Sequence, residues 1–94
     1  MQANFPDLSN ADLAELGGWT VLKDARQYRV GGAVAQHKWV SPEISGQVKV
    51  GETVYFPRLN LRSLTFAENR CNCRKGATGM VCAHAIALCL AMLH

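Results

Sequence analysis

The stretch CNCRKGATGMVCAH, residues 71–84, decides the fold of this chain of 94 residues. One residue separates Cys71 from Cys73, and one residue separates Cys82 from His84. Eight residues lie between the two pairs. Three thiols and one imidazole are ligands that Zn²⁺ prefers in tetrahedral sites. The spacing C-x-C-x8-C-x-H therefore predicts that these four side chains bind one zinc ion.

The spacing also predicts the secondary structure around each pair of ligands. Residues i and i+2 of a strand point to the same face about 6.5–7 Å apart, so Cys71 and Cys73 fit the end of a strand. In a helix the same spacing turns the side chains about 200° apart, so we expect Cys82 to precede a helix and His84 to lie in its first turn. The two glycines of loop 75–79 allow the chain to turn back between the pairs. Four protein ligands leave no position for water, so we expect a structural zinc and no enzymatic activity.

The alternatives for the cysteines are disulfides or inert residues of the core. A bridge between Cys82 and Cys89 is disfavoured, because seven helical residues span about 10 Å and a disulfide joins Cα atoms about 4.4–6.8 Å apart. We expect Cys89 to be a buried apolar residue on another face of the helix. His37 is expected to be packed or at the surface, and His94 lies about 15 Å along the helix from the ligand histidine, too far to share the ion.

The two ends of the chain have helical patterns. Ser9 followed by Asp12 three residues later is typical of a helix start. Glycine pairs at 17–18 and 31–32 predict the ends of two short N-terminal helices, the first through an αL cap. A nearly continuous apolar stretch over about 83–93 predicts a C-terminal helix that is covered on most sides.

Between these helices the pattern predicts a small antiparallel sheet, so the fold class is α+β. Short extended runs alternate with ordinary turn residues. The expected strands are 33–40, 44–50, 53–56 and 58–66. Pro57 predicts an edge or a bulge, and the change of alternation at 62–63 predicts a turn or a bulge.

Positive charge is concentrated in the half of the chain that carries the cysteines. The formal net charge is +3, and residues 48–94 contain six basic and two acidic residues. If the chain binds DNA, we expect the basic residues near the cysteines to contact phosphates without reading the base sequence. These residues are Arg58, Arg62, Arg70, Arg74 and Lys75. The alternative is a solvated basic face.

Composition and motifs exclude several classes of protein. Hydrophobic residues are 49% of the chain and charged residues 18%, which indicates a folded core. Residues 1–20 lack the pattern of a signal peptide, and no apolar stretch reaches the about 20 residues of a membrane span. We therefore expect an intracellular protein, cytoplasmic or nuclear, with reduced cysteines and no membrane contact. The chain lacks a phosphate-binding loop and the glutamate of zinc deaminases, so we expect no small-molecule substrate.

The ligand pattern resembles that of SWIM-type zinc fingers, and the resemblance covers about residues 28–94. It includes the two ligand pairs, Gly46 and Tyr55 in the preceding strands, the lead-in YRVGGAV at 28–34 and the apolar helix after the ligands. The resemblance implies that the three cysteines and the histidine hold one structural Zn²⁺. Most members of the family have a basic residue before the histidine, where this chain has Ala83.

The resemblance also implies a function. The family occurs in Swi/Snf-class chromatin-remodelling ATPases and their bacterial relatives, in Mutator-type transposases and in some signalling kinases, with proposed roles in DNA binding and protein–protein interaction. We expect residues 1–32 to form a helical lead-in and residues 33–94 to form the zinc-binding module, within one compact domain. Such a module is expected to be a DNA-binding or accessory region of a larger helicase-like ATPase. The alternative is a protein-docking domain whose apolar helix packs on another domain or protein, without nucleic-acid contact.

Overall fold

The computed structural model describes residues 5–62 and 67–93 and has the predicted α+β architecture. The helices are α1 (Asn10–Gly17), α2 (Trp19–Val30), α3 (Arg74–Ala77) and α4 (Ala83–Leu93). The strands are β1 (Val34–Val40), β2 (Glu43–Val50), β3 (Thr53–Tyr55), β4 (Arg58–Asn60) and β5 (Glu68–Arg70).

Helix α1 begins at the predicted residue. The Ser9 hydroxyl accepts from the Asp12 N–H at 3.1 Å, and the Asp12 carboxylate accepts from the Ser9 N–H at 2.9 Å. This reciprocal pair satisfies two backbone donors that a helix start leaves free. Gly18 separates α1 from α2 with φ 92° and ψ 159°, which is an extended left-handed conformation instead of the predicted αL cap.

The five strands form one antiparallel sheet with the order β1-β2-β4-β5, and β3 pairs with the same edge of β2 as β4. Tyr55 pairs with Val48 and Arg58 pairs with Ser45, so β3 and β4 follow one continuous register. Of the two alternatives predicted for Pro57, the bulge is wrong because the register is continuous, whereas β3, which ends two residues before Pro57, pairs among the described residues with β2 alone. Proline lacks the N–H that a ladder needs, and here it interrupts the strand without shifting the register.

Three further features of the sheet differ from the sequence-based expectation. The expected strand 58–66 is a strand only over Arg58–Asn60, and residues 63–66, including half of the predicted turn at 62–63, lie outside the described residues. Strand β5 was not predicted, because its only buried residue is Asn69 and it shows no hydrophobic alternation. A bulge in β1 between Ala35 and Lys38 was also not predicted, and Gln36 has φ 52° there.

Helix α4 lies at the centre of the core. Seven consecutive residues, from His84 to Leu90, are buried, because α4 packs against α2 and against β1 and β2. Leu22 of α2 and Ile44 of β2 belong to the same buried cluster. The N-terminal helices and the sheet therefore share one core, while the predicted boundary at residue 32 stays a prediction. Within the described ranges, each helix is too short or too polar to cross a membrane.

Gly46 on β2 marks the close approach of α4 to the sheet. A Cβ at this position would lie 2.9 Å from Leu88 Cδ2 and 2.9 Å from the His37 Cα. We expect Gly46→Ala to lower the free energy of unfolding by about 1–3 kcal/mol, because the helix must move away from the strand. Ser45→Ala, one position earlier, is the matched control and is expected to change it by less than about 0.5 kcal/mol. Urea denaturation measures both values, and equal effects would contradict the role of Gly46.

Candidate metal centre

The four predicted ligands come from two short segments that meet beside the core. Cys71 and Cys73 follow β5, which ends at Arg70, so they lie just beyond a strand and not within one. Cys82 directly precedes α4, and His84 lies in the first turn of that helix, both as predicted. The metal-ligand spacing therefore correctly placed the start of α4.

The structure brings the four side chains together. Their ligand atoms all lie within 4.8 Å of one another, and Cys71 Sγ is 4.0 Å from His84 Nδ1. A tetrahedral zinc site, with bonds of about 2.3 Å to sulfur and about 2.0–2.1 Å to nitrogen, needs ligand atoms roughly 3.6–3.8 Å apart. Cys73 is half-buried and the other three residues are buried. These residues can hold a metal ion, and the donor set is consistent with one zinc.

A helical turn connects the two ligand pairs, where an open glycine loop was expected. Cys73 is the N-cap of α3, and its Sγ accepts a hydrogen bond from the Gly76 N–H at 3.2 Å. Gly76 is buried against Cys71: a Cβ there would lie 2.8 Å from the Cys71 backbone nitrogen and would overlap the Cys71 side chain. Gly79, with φ 87°, supplies the left-handed residue after the turn. Gly76 is needed because a side chain there would clash with Cys71, and Gly79 is needed because its backbone is left-handed.

Asn72, the residue between the first two cysteines, attaches the ligand turn to the sheet. Its Nδ2 donates to the Val54 carbonyl at 3.1 Å, and its Oδ1 accepts from the Phe56 N–H at 2.7 Å. The side-chain amide thus makes the two hydrogen bonds to the backbone at 54 and 56 that a neighbouring strand would otherwise make. This role of Asn72 was not predicted from the sequence, because asparagine is an ordinary turn residue and its partners are far away in the chain.

Asn69 contacts the second ligand pair. Its side chain is buried, and Nδ2 donates to the Met80 carbonyl at 2.7 Å and to Cys82 Sγ at 3.3 Å. An N–H donor favours the charged form of a thiol. Asn69 Oδ1 is buried and has no hydrogen-bond partner among the described residues. Asn69 was also missed, because a polar residue in a three-residue strand carries no pattern that points to a metal site.

Two tyrosines enclose the imidazole of His84. Tyr55 of β3 stacks on it with a centroid distance of 4.0 Å, and Tyr28 of α2 stacks with a centroid distance of 5.4 Å and an interplanar angle of 7°. The stacking holds the ring orientation and links α2 and β3 to the site. Both tyrosines lie in the segment that resembles the family, but nothing in their spacing predicted this contact.

Burial disfavours the charged forms of the ligands. It raises the pKa of the Cys71 thiol to about 12 and also raises the pKa of Cys82, although hydrogen bonds from the Ala85 N–H and from Asn69 act in the opposite direction. Burial lowers the pKa of His84, which favours the neutral imidazole that binds metals. A divalent cation at the centre would supply the positive charge that stabilises the thiolates.

The remaining cysteine and histidines lie apart from this cluster. All four cysteines are free, and Cys89 is fully buried, so the expectation of an apolar core residue is confirmed. Burial raises the pKa of the Cys89 thiol to about 12. His37 was expected to be packed or at the surface, and it is exposed on β1. His94 lies outside the described residues.

The five predicted DNA-contacting residues are all exposed, and the structure pairs two of them. Arg58 and Arg70 face each other across β4 and β5. Arg58 also forms an ion pair with Glu43 at 2.9 Å. Arg62 follows β4. The other two basic residues, Arg74 and Lys75, belong to α3, which contacts β5.

The fold and this cluster define a small α+β module with a Cys₃His group that can hold a metal ion. Family models, curated proteins and solved structures compared with the chain give no match.

The contact between Gly76 and Cys71 predicts that Gly76→Ala weakens metal binding. The added methyl group displaces Cys71, and changes beside metal ligands typically reduce affinity about 10–100-fold. Titration with Co²⁺, followed by thiolate absorption, measures the affinity. Lys75→Ala changes an exposed residue of the same turn and is expected to stay within about twofold of the parent chain. Equal affinities for the parent and Gly76→Ala would show that the turn does not control the site.

Proposed function

We propose that this chain is a SWIM-type zinc-binding interaction module in which one Zn²⁺ is structural and no reaction is catalysed. The observation that carries this proposal is the approach of four ligand atoms, three sulfur and one nitrogen, to within 4.8 Å of one another. The ligands adjoin β5 on one side and begin α4 on the other. An ion bound there joins the edge of the sheet to the central helix of the core.

The donor set supports zinc in a structural role. Thiolate and imidazole ligands suit zinc better than magnesium or calcium, which prefer oxygen. Four protein ligands complete the tetrahedron and leave no position for a reactive water. Structural zinc in small fingers binds with an apparent free energy of about 10–16 kcal/mol, which is comparable with the stability of a whole domain. In a chain with so small a core, this ion is the main stabilising interaction.

Metal removal tests the structural role. We expect native mass spectrometry to find one zinc per chain. We expect a chelator to remove it with loss of helical circular dichroism, because the ion joins the start of α4 to β5 and its binding energy is coupled to folding. Cys73→Ser is expected to abolish stoichiometric zinc binding. Cys73 is the suitable position because it is the least buried of the four ligands, so the substitution disturbs the core least.

Cys89→Ala is the matched control for this experiment. Cys89 is buried in α4 and does not belong to the cluster, so the variant is expected to retain one zinc. A parent chain that purifies with no zinc and takes up none on refolding with the metal would refute the proposal. A chain that keeps its helical signal after the zinc has been removed would refute the structural role.

We further propose that the module is a DNA-binding or accessory region of a larger Swi/Snf-like helicase or ATPase. The support is the excess of positive charge in the second half of the chain and the adjacent Arg58 and Arg70. A groove of about 650 Å³ on the open face of the sheet adjoins this pair and is lined by Lys38, Phe56 and Glu43, among others. Because Glu43 already pairs with Arg58, the attraction for phosphates is modest and sensitive to salt.

The salt dependence of DNA affinity tests this second proposal. Fluorescence anisotropy with a labelled duplex is expected to show affinity that falls as salt rises, with no preference among base sequences. Neutralising Arg70 and Arg74 together to Gln should reduce the slope of log K against log salt by about 2, since each phosphate contact contributes about 1. Lys23→Gln on α2 is the control and should leave the slope unchanged. Absence of binding at low salt would refute DNA contact and leave the metal-binding proposal intact.

Protein docking through α4 has less support than DNA contact. The apolar face that suggested it is covered within the chain, since Ile86 and Leu88 have no exposed surface. Ala83 at the start of α4 and residues 91–93 at its end are half-buried, and the residues between them are buried. The apolar character of the helix is therefore explained by its own α2 and sheet.

A further inference from the structure

A second polar site lies where three helices meet, and it shares no residue with the metal cluster. A cavity of about 280 Å³ is lined by Asn10 of α1, by Arg26, Arg29 and Val30 of α2, and by Leu90 of α4. The lining contains two cations, one amide and two apolar side chains, and no acidic side chain belongs to it. None of these residues is among the basic residues proposed to contact DNA.

Arg29 occupies a position of α2 that is typical of an apolar residue. Leu22 and Ala25 are buried, and Arg29 follows Leu22 by seven residues, so it returns to the same helix face. The consequence is that Arg29 Nε is buried, and it has no hydrogen-bond partner among the described residues. The guanidinium group is always charged. Arg29 as a whole is half-buried, so it is this one N–H donor that lacks a partner. A buried donor without a partner is costly, and a ligand atom that accepts from the Arg29 guanidinium would relieve part of this cost.

Arg26 brings a second positive charge to the same place. It lies three residues before Arg29, and residues at this spacing are neighbours on a helix surface. Two like charges on neighbouring residues repel each other unless an anion lies between them. Within residues 5–62 and 67–93, neither arginine forms an ion pair. Among the residues that the structure describes, two guanidinium groups line this cavity and no acidic side chain does.

We propose that this cavity binds a phosphate group, held by Arg29 and Arg26 with the Asn10 amide as a neutral partner. The two positive charges match a phosphate monoester, which carries about −1.5 to −2 charges at pH 7, better than a carboxylate with one charge. The planar guanidinium fork also fits the oxygens of a phosphate. The apolar lining residues are the buried Leu90 and the exposed Val30, and a carbon group attached to the phosphate could contact them. This site does not depend on the proposed DNA or zinc functions.

The Nε–H of Arg29 is the direct reporter of this site. In the zinc-loaded full chain, the ¹H–¹⁵N signal of this group is expected to shift on titration with inorganic phosphate and to saturate with a single affinity. Acetate should bind at least about tenfold more weakly, because it offers one negative charge and two oxygens. Phenyl phosphate distinguishes the source: tighter binding than inorganic phosphate identifies an ester as the ligand, and equal binding identifies free phosphate.

Substitutions distinguish phosphate binding in this cavity from nonspecific binding of anions to a positively charged chain. Arg29→Gln and Arg26→Gln are each expected to weaken phosphate binding by about tenfold or more, since each removes a charged donor. Lys23→Gln removes the same charge from an exposed position of α2 outside the cavity and should change the affinity by less than about twofold. An unchanged Arg29 Nε signal in millimolar phosphate would overturn the proposal. An equal loss in Lys23→Gln, or acetate binding as tight as phosphate, would overturn it as well.

Discussion

The meeting of three thiols and one imidazole between β5 and α4 is the constraint on which the rest of the structure depends. These groups are taken out of water, and burial favours their uncharged forms, as the raised pKa of Cys71, about 12, and the lowered pKa of His84 indicate. A bound cation would offset the cost of charging these buried thiols and would hold the three sulfur atoms together. Once they are held, the start of α4 is fixed, and with it the buried residues of that helix, which contact both α2 and the sheet.

The groups that contact the candidate ligands come from α2, β3, β5 and the turn after β5. Asn72 ties the first ligand pair to β3, Asn69 of β5 donates to the sulfur of Cys82, and Tyr28 and Tyr55 enclose the imidazole. Such surrounding contacts fix ligand geometry and tune metal affinity. Since Tyr28 belongs to α2, this helix contacts the candidate metal centre directly.

The sequence predicted what depends on local spacing and missed what depends on contacts between distant residues. The C-x-H spacing is incompatible with a shared ion inside a helix, so it correctly placed Cys82 before α4. Ser9 and Asp12 likewise fixed the start of α1 by contacts within one turn. Strand β5 was missed because it buries an asparagine. Asn72 was missed because its partners, Phe56 just after β3 and Val54 within it, lie 16 and 18 residues away. Tertiary hydrogen bonds of this kind leave no periodic signal in the sequence.

Two buried polar atoms without hydrogen-bond partners lower the stability of the fold, and the rest of the folding free energy must offset them. Asn69 Oδ1 and Arg29 Nε are both buried and lack partners among the described residues. Each such atom costs about 1–3 kcal/mol, a large fraction of the about 5–15 kcal/mol that stabilises a typical domain. In the proposed zinc-bound state the ion contributes about 10–16 kcal/mol, so the chain tolerates both costs and still folds. Asn69 is explained by its hydrogen bond to a metal ligand. Arg29 does not contact the cysteine–histidine cluster, and the proposed phosphate in the cavity between α1, α2 and α4 would give its guanidinium group a partner.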